Sequence, residues 1–244
     1  MRYGILGDIH GNLSALETVL RRFEEEGVDR AISVGDVVGY GAAPSECIAL
    51  LHQIGAVVVK GNHDAACVNE LDDRYFNNYA REALRWTRTA ISEADRDWLR
   101  SLPMTVTLEH CQVAHGSLAH AEEFNYVQST TDADPSLDIM ERNVCFVGHT
   151  HVPIVLVRLR DQPDRTAYTF EPEIDLSEVH NCLVNVGSVG QPRDEDPRTA
   201  YALFDTELRR VWIKRIEYDI DREAQRIRAV GLPEMLADRL YLGV

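Results

Sequence analysis

Residues 4–12 read Gly4-Ile5-Leu6-Gly7-Asp8-Ile9-His10-Gly11-Asn12, an apolar run that stops on Gly-Asp and reaches a histidine two residues later. The apolar stretch, residues 2–7, has the length and character of a strand. After it, Leu13, Leu16, Leu20 and Phe23 recur at helical spacing, with Glu17, Arg21, Arg22 and Glu24 to Glu26 on the other side. That stripe predicts an amphipathic helix with Asn12 as its N-cap. The pattern then repeats. Ala31 to Val34 is a second apolar run ending in Gly-Asp, a helix is expected near 44–54, and Ala56 to Val59 leads into Lys-Gly-Asn-His-Asp. Strands separated by amphipathic helices predict a parallel sheet.

Residues 66–101 read as helical, with Tyr75, Tyr79, Ala83 and Trp86 on one face and Leu84 and Ile91 near its edge. Such a stripe either packs into the core or forms a helical cap whose aromatic residues border a substrate. The second half is richer in strands, expected at 104–108, 111–114, 144–147, 153–159, 166–170, 182–186, 199–205 and 210–218. Residues 116–135 are polar and turn-rich and predict a loop or lid. The stretch 220–240 reads as a helix that Gly231-Leu232-Pro233 should break. No repeat, low-complexity tract or linker divides the chain. One domain over 1–244 is expected, with 66–101 as a candidate cap and 219–244 as a C-terminal helical extension.

Hydrophobic residues make up 45% and charged residues 27% of the 244, as in globular proteins, and no run of 18 apolar residues predicts a membrane span. The first residues turn acidic too soon for a signal peptide, so a cytoplasmic location is expected. A formal net charge of −15 repels polynucleotides and anionic membranes, which argues against either as a partner. A small phosphate ester remains an acceptable substrate if divalent cations reverse the field locally. Cys47, Cys67, Cys111, Cys145 and Cys182 are scattered, with no Cys-x-x-Cys pair. Buried free thiols are expected rather than structural zinc or disulfides.

Five motifs carry the chemistry: Gly7-Asp8-Ile9-His10-Gly11-Asn12, Gly35-Asp36-Val37-Val38-Gly39, Gly61-Asn62-His63-Asp64, Ala114-His115-Gly116 and Gly148-His149-Thr150-His151. Four of the five directly follow an apolar strand, which places them where open α/β sheets bind ligands. Imidazole, carboxylate and amide oxygen together suit borderline to hard divalent ions such as Mn, Fe, Zn, Co and Ni. In an extended Asp-x-His, alternate residues point the same way, so Asp8 and His10 can reach one ion. His149 and His151 can serve one ion or two neighbours, and the lone carboxylate Asp36 can bridge two. Five of the nine histidines lie in these motifs; His52, His110, His120 and His180 read as structural or exposed. Arg193 can bind a phosphate oxygen bidentately or pair with Asp194, Glu195 or Asp196. Phe124 and Tyr126 can stack on a base or aryl group, or simply pack.

In this order, Gly-Asp-x-His, Gly-Asp, Gly-Asn-His-Asp, His and Gly-His-x-His resemble the signature of the calcineurin-like metallophosphoesterases, across about residues 4–190. The stretch Asn185-Val186-Gly187-Ser188-Val189-Gly190-Gln191-Pro192-Arg193 is similar to the small bacterial and archaeal phosphodiesterases of that family. The resemblance implies an α/β, four-layer αββα sandwich of two mixed β-sheets flanked by helices. It implies two divalent metal ions, the first held by Asp8, His10 and His151, the second by Asn62, His115 and His149, with Asp36 bridging both. His63 would face the substrate, oriented by Asp64, with Asn62 and Arg193 also at the substrate. Cations about 3.5–4 Å apart would clamp the attacking and leaving oxygens of an in-line displacement.

Two departures bear on substrate. Protein Ser/Thr phosphatases of the superfamily carry Gly-Asp-x-x-Asp-Arg-Gly, whereas this chain has Gly35-Asp36-Val37-Val38-Gly39-Tyr40-Gly41, and they favour Gly-Asn-His-Glu where Asp64 stands here. Both differences favour a phosphodiesterase on a small or nucleotide-like substrate over a protein phosphatase. A protein Ser/Thr phosphatase, a dinucleoside-polyphosphate hydrolase and a scaffold that kept the fold without the activity are the alternatives.

Overall fold

In the structure, a computed structural model describing residues 1–244, the opening apolar run is strand β1 (Arg2–Leu6) and the periodic stretch after it is helix α1 (Leu13–Glu25). The Asn12 side chain caps that helix by accepting the Ala15 N–H at 3.0 Å. The repeated pattern yields β2 (Arg30–Ser33), α2 (Pro44–Gln53) and β3 (Val57–Val58), and β1, β2 and β3 run parallel. Helical crossovers are what permit this, since parallel neighbours need a long connection.

The helix expected over 66–101 is several pieces: α3 (Asn62–Cys67), a 3-10 turn (Asp73–Tyr75), α4 (Asn78–Ala90) and α5 (Glu93–Ser101). Asn77 and Ser92 break it, because each is extended and turns its side chain onto the N–H three residues on, starting a new helix. Tyr75 therefore lies out of phase with α4 and is 86% exposed, while Ala80, Ala83, Leu84 and Thr87 form the buried stripe.

The rest comprises β4 (Thr105–Thr107), β5 (Gln112–Ala114), α6 (Thr130–Ile139), β6 (Val144–Val147), β7 (Ile154–Leu159), β8 (Gln162–Thr169), β9 (Glu173–Asp175), β10 (Val179–Asn185), β11 (Thr199–Asp205), β12 (Arg210–Ile216), α7 (Ile220–Ala229) and α8 (Glu234–Leu242). The expected loop 116–135 is helical from Thr130, where Ser129 and Asp132 form a capping box. Strand β9 was not expected; its three residues pair along the edge of β12. The break at Gly231-Leu232-Pro233 falls between α7 and α8.

Two six-stranded mixed sheets result, ordered β3-β2-β1-β11-β12-β9 and β4-β5-β6-β10-β7-β8. Strand alternation explains why they stack. Tyr3 and Ile5 of β1 and Ala202 and Phe204 of β11 meet Phe146, Val155, Cys182 and Val184 of the other sheet. The intervening Leu6, Tyr201 and Leu203 pack under α1 and α2 with Leu16, Val19, Ile48 and Leu51. On the far face of the second sheet, Cys145, Val147 and Leu183 pack on Ala133 and Leu137 of α6. The layers are helix, sheet, sheet, helix, as the resemblance implied. A separate cluster joins Tyr40 to Ala80, Ala83, Leu236 and Leu240, bringing α8 beside the loop after β2. All five cysteines are buried free thiols. No helix is long and apolar enough to cross a membrane.

Candidate metal centre

All five motifs leave the carboxyl ends of strands, those of β1, β2 and β3 in one sheet and β5 and β6 in the other. Parallel pairing within each set (β1–β2, β2–β3, β5–β6) points those ends the same way. The loops then turn sharply. His10, Asp36, His149 and His151 have φ of 50°, 50°, 69° and 63°, in the left-handed region that L-residues avoid. Each such residue costs about 1–3 kcal/mol, and such strain gathers at functional sites. Backbone bonds from His10 N to Asp36 O and from Gly11 N to Val37 O, both 2.9 Å, hold the first two loops together. The expectation that Asp8 and His10 align as alternate residues of an extended segment is therefore corrected, because the turn at His10 aims its ring.

The side chains of Asp8, His10, Asp36 and His151 form one buried group of facing ligand atoms, and those of Asp36, His115 and His149 form a second, so Asp36 belongs to both. Asp36 Oδ2 lies 3.6 Å from His10 Nε2 and 3.4 Å from His115 Nε2. Its Oδ1 accepts the His63 N–H at 2.8 Å. Asn62 Oδ1 stands 3.0 Å from His115 Nε2, on the side of the second group. Asp8 accepts the His149 N–H at 3.0 Å, and its Oδ1 is 3.6 Å from His151 Nε2. Two glycines make room: a Cβ at Gly61 would overlap the Asp36 carboxylate, and one at Gly148 would overlap that of Asp8.

The ring tautomers test whether cations fit. Nδ1 of His10, His115 and His151 faces the carbonyl oxygens of Val38, Val34 and Gln191 at 3.1, 2.9 and 2.6 Å. A carbonyl only accepts, so each Nδ1 carries a proton, and Nε2 presents a lone pair wherever the ring is neutral. His10 and His151 thus aim lone pairs at each other across 3.1 Å. His115 Nε2 meets His149 Nδ1 at 3.0 Å, with the Asn62 and Asp36 oxygens alongside. Acceptors crowded this way repel unless a proton or a cation sits among them; His115, raised to about 9, carries such a proton in the second group, the first has none, and both donor sets suit divalent ions.

Charge agrees. Burial keeps His10 and His151 well below the ordinary histidine range and takes His149 to about 3, leaving neutral rings. Burial, reinforced by the nearby Asp36 charge, lifts Asp8 to about 7. His115 runs the other way: burial opposes its charge, but the Asp36 and Asp8 carboxylates raise it to about 9.

Asp64 does something other than orient the His63 ring. Its Oδ2 accepts the Gly61 N–H at 3.0 Å, and its Oδ1 accepts the N–H groups of Val37 and Val38 at 2.9 and 3.2 Å. It ties the start of α3 to the loop carrying Asp36, and no hydrogen bond joins it to the imidazole. Asp64→Ala strands three buried N–H groups, each worth about 1–3 kcal/mol when unpaired. Denaturant titration should therefore show a loss of about 3 kcal/mol or more, with weaker metal binding. Unchanged stability would contradict this role.

His63 is buried at the wall of a cleft of about 680 Å³ that also reaches Asp36, Asn62, His149, His151 and Arg193. Its ring sits 4.5 Å from Tyr40 and 4.8 Å from Phe76, and its Nδ1 has no partner. Burial takes it to about 4, against the pull of Asp36. Arg193 forms no ion pair with Asp194, Glu195 or Asp196; it bonds Gln191 Oε1 at 2.9 Å and lies over Tyr40. Phe124 is buried near His115, whereas Tyr126 is half exposed and stacks on His149 with centroids 3.9 Å apart. His52, His120 and His180 are exposed and His110 is partly so. Sequence reasoning passed over Tyr40 and Arg239. Tyr40 had a local signal, an aromatic residue between two glycines in a ligand loop; Arg239, in the last helix, had none.

Comparison with known proteins extends the geometry. Residues 1–209 match the calcineurin-like phosphoesterase superfamily domain. The chain is 34% identical over 244 residues to the uncharacterised protein MJ0912 of Methanocaldococcus jannaschii, covering 98% of this chain and 97% of that one. A metallophosphoesterase from Sphaerobacter thermophilus superposes over 100% of both chains with a TM-score of 0.86 at 37% identity. A hypothetical protein from Pyrococcus horikoshii shares the fold at 21% identity, with a TM-score of 0.80 over 100% of this chain and 98% of its own. A domain match over most of the sequence and a relative similar along nearly its whole length show that this chain belongs to the calcineurin-like phosphoesterase superfamily.

Proposed function

We propose that the chain is a metal-dependent phosphodiesterase acting on a small or nucleotide-like substrate. The observation that carries this is the pair of buried ligand groups sharing Asp36, with the Nε2 lone pairs of His10 and His151 opposed across 3.1 Å in the first of them. Asp8, His10 and His151 with Asp36 hold one divalent ion, and Asn62, His115 and His149 with Asp36 hold the other. Manganese, iron, zinc, nickel and cobalt all suit these donors. Bound there, the two ions supply Lewis-acid polarisation of the phosphate and a water acidic enough to attack near neutral pH.

The chain's own residues do the rest. In the hydrolysis, water oxygen forms the new P–O bond, the ester P–O bond breaks, and the leaving oxygen takes a proton. His63 starts neutral, so it meets the phosphate as a hydrogen-bond donor. A negative charge arriving beside it raises its pKa, the direction a proton donor to the leaving oxygen requires. Asn62 both faces His115 and lines the cleft, so it reaches metal and substrate alike. The loop after β2 has Val37-Val38-Gly39 and no arginine, which favours a diester over a phosphoprotein. Turnover of bis-p-nitrophenyl phosphate, p-nitrophenyl phosphate and a phosphopeptide with Mn, Ni, Co and Mg tests this. The diester should turn over fastest. A faster phosphopeptide would make this a protein phosphatase, and no turnover with any metal would leave an interaction scaffold.

Metal binding should release protons. His115, raised to about 9, holds a proton that a cation must displace, and Asp8, raised to about 7, holds a fraction of one. Affinity for Mn therefore climbs as pH rises towards about 9 and flattens above it. Calorimetric titration in buffers of different ionisation enthalpy should show net proton release at pH near 7; none would contradict the ligand set.

A further inference from the structure

We infer that Arg193 and Arg239 form a subsite for a second phosphate of the substrate, next to the phosphate held at the metal centre. The inference rests on the proposed hydrolytic function and narrows its substrate class. Both arginines line the cleft that exposes Asp36, His149 and His151. Both guanidinium carbons lie over the ring of Tyr40, at 5.7 Å for Arg193 and 6.0 Å for Arg239. That ring is 4.5 Å from His63 and 4.7 Å from His10, so the charges begin where the metal ligands end. Arg193 is tied to the ligand loops, its N–H donating to His151 O at 3.4 Å. Arg239 arrives separately on α8, held by Leu236 and Leu240 packing with Tyr40.

Neither guanidinium pairs with an Asp or Glu side chain, in a chain of 40 acidic and 25 basic residues. Nearby acids are engaged elsewhere, Asp194 with Arg215 and Asp196 with Arg198. Glu122 and Glu123 line the same cleft but pair with neither arginine. Arg193 Nε is buried without a partner, and Arg239 uses only its Nε, on the Val244 oxygen. Burial and the like charge of Arg193 pull Arg239 below the ordinary arginine range. Two half-buried forks that share one aromatic ring and line one cleft repel each other, an anion reached by both stabilises them, and the fork geometry matches phosphate oxygens. One phosphate would sit at the proposed metal centre, and the spacing set by Tyr40 leaves this anion as a second, joined to the first by an anhydride or elsewhere on the same molecule.

Calorimetric binding of AMP, ADP and adenosine 3′,5′-bisphosphate to the Mn-loaded protein tests this without turnover. ADP, the bisphosphate or both should bind about 10- to 100-fold tighter than AMP, the range of charged hydrogen bonds at 1.5–3 kcal/mol. Which of them gains tells whether the second phosphate is anhydride-linked. Arg239→Met, which keeps the apolar stem on Tyr40, should erase the advantage, and Arg239→Lys should restore part of it. Equal binding of all three ligands by the unaltered protein, or an advantage that survives Arg239→Met, overturns the inference. Failure to hydrolyse bis-p-nitrophenyl phosphate would instead sink the proposed function, leaving the binding comparison to decide the subsite by itself.

Discussion

Asp36→Asn should strip the centre of metal and lower hydrolysis by more than about 10³-fold, since losing the shared clamp forfeits several kcal/mol of charge stabilisation and each 1.36 kcal/mol is tenfold. The substitution is nearly isosteric, so the expected cause is electronic. Asp36 Oδ1 accepts the buried His63 N–H at 2.8 Å, while Oδ2 faces His10 and His115 Nε2 at 3.6 and 3.4 Å. An asparagine has one acceptor and one donor end. With its NH₂ towards the centre it fills the space between the ligand groups with neutral N–H donors that cannot ligate a cation; flipped, it sets a donor against the His63 N–H. Both arrangements weaken both metal positions at once, because Asp36 is the one residue common to the two groups. Elemental analysis should show loss of both ions from a protein that still folds. Full metal content with near-normal turnover would end the bridging assignment.

His63→Ala should behave in the opposite way, keeping both metals while losing about 10²–10⁴ in rate, the usual worth of a general acid or equivalent donor. The ring touches Tyr40, Phe76 and His10 but belongs to neither ligand group. Its backbone N–H, which holds Asp36, survives the change. The rate loss should fall on kcat more than KM if His63 acts on the leaving oxygen. Metal loss in this variant would mean that His63 is a ligand or an indispensable support for one.

The contrast between these variants reflects what each level of structure contributes. The first sixty or so residues were readable because apolar runs and amphipathic stripes are local signals, and β1, α1, β2, α2 and β3 all lie where those signals put them. The region 66–101 was readable as helical but not as interrupted, since Asn77 and Ser92 look like surface residues until their side chains are seen capping new helices. Helix α6 was hidden by its polar composition, and β9 is too short to have a period.

Which residues gather at the candidate site was written in the chain itself: the Gly-flanked Asp, Asn and His motifs at strand ends name Asp8, His10, Asp36, Asn62, His63, His115, His149 and His151. A strand end and its flanking glycine are determined by neighbours a few residues away, so a linear reading finds them. The tertiary structure alone decided that two sheets bring those ends together, that left-handed turns rather than strand alternation aim the rings, and that Asp64 serves the backbone of another loop. It alone set Arg239 of the last helix over Tyr40. Those facts depend on contacts between segments tens to hundreds of residues apart, and such contacts follow from how the layers pack, which no local periodicity encodes.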